Sequence, residues 1–243
     1  MTLEICVDSP DAALIAANAG ADRLELCSFL DCGGLTPSIG VIRAIREAVR
    51  IPIHVLLRPR VGDFCYSEAE FETMLEDIIA LKGSGVDGVV LGILDSLARI
   101  DVPRTTLLVE AARPLSVTFH RAFDLCPEPL QGLEDVIATG ADRLLSSGQQ
   151  SAAELGIPLL KTLVQQAGDR IIIMPGAGIK STNAERIIRE TGVSELHLSA
   201  SSLIPGRMSY PPGKPHLQGS MPGEDRLRLA DEREISLIRS LLK

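Results

Sequence analysis

The sequence predicts an α/β fold, a single (β/α)8 TIM barrel over residues 1-243, and three observations point there. One pattern, a helix-ending Gly, a polar residue and then an apolar strand, recurs at Gly20-Ala21-Asp22-Arg23-Leu24, Gly85-Val86-Asp87-Gly88-Val89, Gly140-Ala141-Asp142-Arg143-Leu144 and Gly192-Val193-Ser194-Glu195-Leu196. The repeats start 65, 55 and 52 residues apart. One βα unit takes roughly 30 residues, so each interval holds two units and the repeats open the even strands. The length of 243 residues matches a barrel of about 250. Several apolar strands also run straight into polar residues, as in Val117-Thr118-Phe119-His120-Arg121-Ala122-Phe123-Asp124, and strand ends are where such barrels keep their chemistry.

The odd strands fall between the repeats: Leu3 to Val7, Ile53 to Arg58, Leu115 to His120 and Arg170 to Met174. Helices are expected near 9-19, 38-48, 67-83, 104-113, 128-138, 151-166 and 180-190. Ser67-Glu68-Ala69-Glu70 reads as a capping box and Thr36-Pro37-Ser38 as a helix start. Residues 205-223 hold Pro205, Pro211, Pro212, Pro215 and Pro222 among four glycines, too broken for a helix. Long loops of this kind are functional or disordered, so a lid or subunit contact and a mobile loop both stand. The eighth helix is then placed at Asp225 to Leu242, in a region 225-242.

Side chains alternate across a strand, which sorts the barrel interior. In the first strand Leu3, Ile5 and Val7 face the helices, while Glu4, Cys6 and Asp8 face inward. Aligning the four repeats gives three layers from the even strands: Arg23, Gly88, Arg143 and Glu195 lowest, then Glu25, Val90, Leu145 and His197, then Cys27, Gly92, Ser147 and Ser199. Two Arg and one Glu in the lowest layer can pair internally, a structural reading. The polar upper layers cost stability unless partners or a ligand satisfy them.

Composition limits the partners. The net charge of -8 argues against nucleic acid or an anionic membrane. No apolar run reaches the roughly 18 residues of a membrane span, and the first strand starts at Leu3, so a soluble cytoplasmic protein is expected. Aromatics make up 3% of the chain and Trp is missing, so the core is aliphatic, as in parallel sheets buried on both faces. Five cysteines without close paired spacing read as reduced thiols.

Two chemistries are open at the barrel mouth. Cys6 and Cys27 point inward on neighbouring strands about 4.8 Å apart, close enough to share one soft metal ion such as Cu(I); equally, a free Cys packs as a small hydrophobe. Glu25, Arg58, His120 and Asp124 are candidates for general acid/base work on an anionic substrate. Glu4, Arg60, Arg121, Ser147, Gly148 and His197 are candidate ligand contacts around them. Gly176, Gly178 and Ser199 stand where many barrels cradle a phosphate. A salt-bridge network on the rim is the plainer alternative. His54, in mid-strand, reads as a core residue, and His216 as solvated.

Leu3-Glu4-Ile5-Cys6-Val7-Asp8-Ser9, Gly20-Ala21-Asp22-Arg23-Leu24-Glu25-Leu26-Cys27, Gly33-Gly34-Leu35-Thr36-Pro37-Ser38, Arg58-Pro59-Arg60 with Gly62-Asp63-Phe64 and Tyr66, Thr118 through Asp124, and Ser147-Gly148 together resemble the copper homeostasis protein CutC family. The resemblance runs from residue 3 to about 201. It implies a cytoplasmic barrel, a homo-oligomer (dimer or tetramer), and Cu(I) binding with Cys6 and Cys27 as the metal ligands. Cys32, Cys65 and Cys126 stand where the family does not require Cys. The leading expectation is therefore a copper-binding homeostasis protein. The alternative is a barrel enzyme acting on a small phosphorylated or carboxylated metabolite, with His120 as acid/base and Arg58 as clamp. A pure interaction scaffold, its mouth covered by a partner chain, is a third.

Overall fold

A computed structural model describes residues 1-209, 211, 213 and 223-242. Eight parallel strands, β1 (Thr2–Val7), β2 (Arg23–Leu26), β3 (Ile53–Leu56), β4 (Gly88–Leu91), β5 (Ser116–Phe119), β6 (Arg143–Ser146), β7 (Ile172–Pro175) and β8 (Glu195–Leu198), form a nearly closed barrel. The helices α1 (Pro10–Asn18), α2 (Ile39–Ala48), α3 (Glu68–Lys82), α4 (Val102–Ala112), α5 (Pro129–Ala138), α6 (Ile157–Ala167) and α7 (Ala184–Thr191) alternate with the strands. The ladder runs β7-β6-β5-β4-β3-β2-β1-β8, so β7 and β8 meet at a seam without ladder hydrogen bonds.

The core follows from strand alternation. Leu3, Ile5, Leu24, Leu26, Ile53, Val55, Val89 and Val117 are fully buried against helix residues such as Ile42, Ile45, Met74, Ile78 and Leu160. The Asp of the sequence repeat fixes strand entry. Asp22 accepts the Leu3 N–H at 2.9 Å, Asp87 the Ile53 N–H at 2.9 Å and Asp142 the Val117 N–H at 2.7 Å. Each also takes an arginine, Arg239, Arg46 and Arg113 respectively. An even strand's leading Asp thus binds the N-terminus of the odd strand before it. The fourth repeat carries Ser194 instead, and there the ladder is open.

Helix starts agree with the sequence where capping chemistry marks them. Ser67 accepts from Glu70 N while Glu70 accepts from Ser67 N at 2.7 Å, and Ser38 caps α2. The helix expected at 151-166 begins only at Ile157, because the preceding residues must cross under the β6 loop. A Cβ on Gly156 would lie 1.9 Å from the Ser147 carbonyl oxygen.

The end of the chain needs a correction. Arg226–Ala230 is not helical but forms strand β10, antiparallel to β9 (Ser201–Pro205), and the last helix, α8, is Glu232–Leu241. The reason is legible in Arg226-Leu227-Arg228-Leu229-Ala230, which alternates with period two, and in Asp231, which caps α8 by accepting from Glu234 N at 3.0 Å. His216, Pro212, Pro215 and Pro222 lie outside the described residues.

Candidate functional site

The barrel floor is an ion network. Arg23, inward on β2, pairs with Glu4 on β1 and with Glu195 on β8 at 2.5 Å, and Arg143 on β6 reaches Glu195 at 2.8 Å. Glu4 is fully buried and also bonds His197 Nδ1 at 2.8 Å. Burial opposes the charge on Glu4, but His197 and Arg23 outweigh it and hold its pKa well below the carboxylate range. Glu4 is thus tied into the network by Arg23 and His197. His54 lies beside it, buried, as expected of a core residue.

Above the floor, Cys6 Sγ lies 3.8 Å from Cys27 Sγ and 3.1 Å from Glu25 Oε1. Cys27 is fully buried, packed with Cys6, Leu56 and Val90 under the loop around Gly34, so Cys6 alone of the pair lines the mouth. Cys27, burial and Glu25 raise the Cys6 pKa well above that of an ordinary thiol. Glu25 is itself raised by burial. Burial works against a charged His197, yet Glu25 and Glu4 prevail and lift its pKa. Donor atoms of Cys6, Glu25 and His197 all lie within 4.8 Å of one another. Glu25 and His197 were expected in one layer; their meeting with Cys6 depends on the stagger between β8, β1 and β2, which sequence alternation alone does not supply.

The mouth is a cavity of about 580 Å³. His120, at the end of β5, lines it and packs on Phe64 with ring centres 4.9 Å apart. Gly92 makes room, since a Cβ there would lie 2.5 Å from His120 Nδ1. That Nδ1 accepts the Ala122 N–H at 3.2 Å, so the ring proton sits on Nε2. Burial, then the nearby Arg58 charge, depress its pKa to about 3. A ring that is neutral with Nε2 protonated donates a hydrogen bond. Arg58 donates to the carbonyls of Cys32, Gly34 and Gly62 and stacks over Phe64. It forms no ion pair among the described residues.

Other expected contacts turn elsewhere. Arg60 pairs with Glu70 at 2.6 Å and Asp63 at 2.9 Å on the rim. Asp124 accepts from Ser146 Oγ, Ser147 N and Gln149 N and pairs with Arg121, so it knits the β6 loop. Ser147 serves the same knot and Gly148 packs on Gly156. Arg121 does line the cavity, as do Gly178 and Ser199, whereas the Gly176 N–H is spent on Ser146 O. In the turn before α7, Ser181 N and Oγ donate to Glu234 of α8 at 2.6 and 3.0 Å. A carboxylate of the chain itself thus fills part of the region where a phosphate was expected.

Comparison with known proteins now decides the family. The CutC family model matches residues 1–202. The chain belongs to the CutC family. The "family protein CutC" of Proteus mirabilis is 46% identical over 208 residues, 86% of this chain and 82% of that protein, and the one of Bacteroides thetaiotaomicron is 48% identical over 85% and 84%. A crystal structure of the putative copper homeostasis protein CutC from Streptococcus agalactiae aligns with TM-score 0.77 and 34% identity over 82% of this chain and 98% of that one. Phosphoribosylanthranilate isomerase from Thermotoga maritima, 12% identical with TM-score 0.61 over 100% and 98%, shares the fold alone. The CutC match ends at Ser202, within β9.

Proposed function

We propose that this CutC protein serves copper homeostasis by holding Cu(I) between Cys6 and Cys27. The observation that carries the reading is the 3.8 Å approach of the two sulfurs on adjacent strands. At metal–sulfur bonds of about 2.3 Å, one ion can touch both. Soft thiolates favour Cu(I) over hard cations, and the cavity reaches Cys6, which gives the ion a route in. Loading requires the thiols to lose their protons; Glu25, already the Cys6 hydrogen-bond acceptor, is the group placed to take the first. The name of the Streptococcus agalactiae relative supports the copper assignment. A cytoplasmic location and a homo-oligomer, dimer or tetramer, belong to the same reading.

An anaerobic Cu(I) titration against a competing chelator tests it. One ion per chain is expected in the wild type, and loss of that binding in the Cys6→Ser, Cys27→Ser double variant. Unchanged stoichiometry and affinity in that variant would remove the pair from copper binding. Native mass spectrometry of the same sample reads the subunit count.

A further inference from the structure

Copper does not account for the other wall of the cavity. Three side chains that line it keep a buried polar atom with no partner in hydrogen-bond geometry, His120 Nε2, Arg58 Nε and Glu25 Oε2, although the Tyr66 hydroxyl lies near enough to Arg58 to interact with it. The residues are 6%, 7% and 5% exposed. Leaving such atoms unpaired costs free energy, and three around one cavity mark a place built for something that pairs them.

Their chemistry sets what that is. With Nδ1 holding the Ala122 N–H, His120 offers an N–H and nothing else. Arg58 is donor-only and always charged, and its charge has no carboxylate partner among the described residues. This side therefore takes an anionic or carbonyl oxygen. Glu25, whose Oε1 is occupied by Cys6, presents an acceptor and calls for a donor. Leu30, Leu56, Leu145 and Phe64 supply an apolar wall between them. At the β7 and β8 end the lining is of mixed charge, two carboxylates, Asp231 and Glu234, against the single ammonium of Lys180. Glu234 already bonds Ser181 N and Oγ, and a phosphate dianion at this end would meet both carboxylates.

We propose that the mouth cavity binds a small aliphatic carboxylate carrying a hydroxyl or amine, its carboxylate on His120 Nε2–H and Arg58 and its donor on Glu25. This site needs no metal, and its occupancy is read on the metal-free chain, apart from any copper at Cys6 and Cys27.

Ligand-detected NMR on the metal-free full chain tests it with four probes: 2-hydroxy-4-methylpentanoate, leucine, 4-methylpentanoate and 3-methylbutyl phosphate. The hydroxy acid or leucine should bind about tenfold tighter than the last two, which lack the donor or carry a dianion. His120→Asn keeps an acceptor for Ala122 N–H and loses the outer donor, so binding should fall about tenfold; His120→Gln restores a donor and should recover most of it. Thermal melts of both variants separate lost binding from lost folding. The proposal is overturned if neither leading probe binds, if the deoxy acid or the phosphate binds as tightly, or if His120→Asn binds like wild type. Should His120→Asn not fold, the wild-type preference for the leading probes over the two controls still decides.

Discussion

At the level of single residues, the histidines show how burial assigns a role. His54 and His120 are buried with pKa values of about 4 and about 3, in each case mainly through burial. Both lie below the ordinary value of 6.5, so the unfolded chain takes up protons before the folded one does. Stability is therefore full above about pH 6.5 and declines as the pH falls toward 4 and then 3, by up to about 1.4 kcal/mol per pH unit for each histidine. His197 runs the other way, since its raised pKa adds stability below pH 6.5 that fades as the pH rises through the folded value. Urea unfolding at pH 4, 5, 6 and 7 checks the first slope. His120→Gln, which cannot protonate, should flatten it by about one histidine's share. An equal slope in wild type and variant would mean that His120 is not held neutral by burial.

At the level of elements, the Gly-x-Asp repeat is both the most legible signal and the one with the clearest physical cause. Its spacing places the even strands, and its Asp accepts the first N–H of the odd strand before it. Asp142 takes Val117 N at 2.7 Å, Ser116 Oγ at 3.3 Å and Arg113 at 2.9 Å, and these partners lower its pKa against the opposing effect of burial. Asp142→Ala should cost about 1.5–3 kcal/mol, the range for a hydrogen-bonded charge, seen as a lower urea midpoint at constant m-value. A change below about 0.5 kcal/mol, the level of ordinary surface substitutions, would show that the repeat Asp is incidental. What alternation could not reveal was anything set by loops. Arg58, Arg60 and Asp124 all follow strands and all read as site residues. Yet Arg60 pairs with Asp63 and Glu70, Asp124 binds Arg121 and the β6 loop, and Arg58 donates three hydrogen bonds to carbonyls while still lining the cavity. The β9–β10 pair is hidden for another reason: Arg226–Ala230 falls inside the stretch where a barrel calls for its eighth helix, and that helix begins six residues after Arg226.

At the level of the whole barrel, closure rests on the interior as well as on the ladder. No hydrogen-bonded ladder joins β7 to β8, but Arg23, reaching across from β2, touches Met174 Sδ on β7 at 3.3 Å and Glu195 on β8 at 2.5 Å, and it pairs with Glu4 on β1. Arg143 adds a tie from β6 to β8. The charged floor, foreseen from the aligned repeats as a self-pairing layer, therefore spans the seam from inside. Such a network is a poor source of net stability compared with an apolar core, but breaking it strands buried charge. Arg23→Met leaves Glu4 and Glu195 short of their shared cation and should cost about 3–5 kcal/mol. Hydrogen exchange gives the sharper reading, because loss of the tie should lower amide protection in β8 more than in β3 or β4, which sit across the barrel within an unbroken ladder. Uniform loss of protection around the barrel would mean that Arg23 stabilises the fold generally and that the seam is held by packing alone.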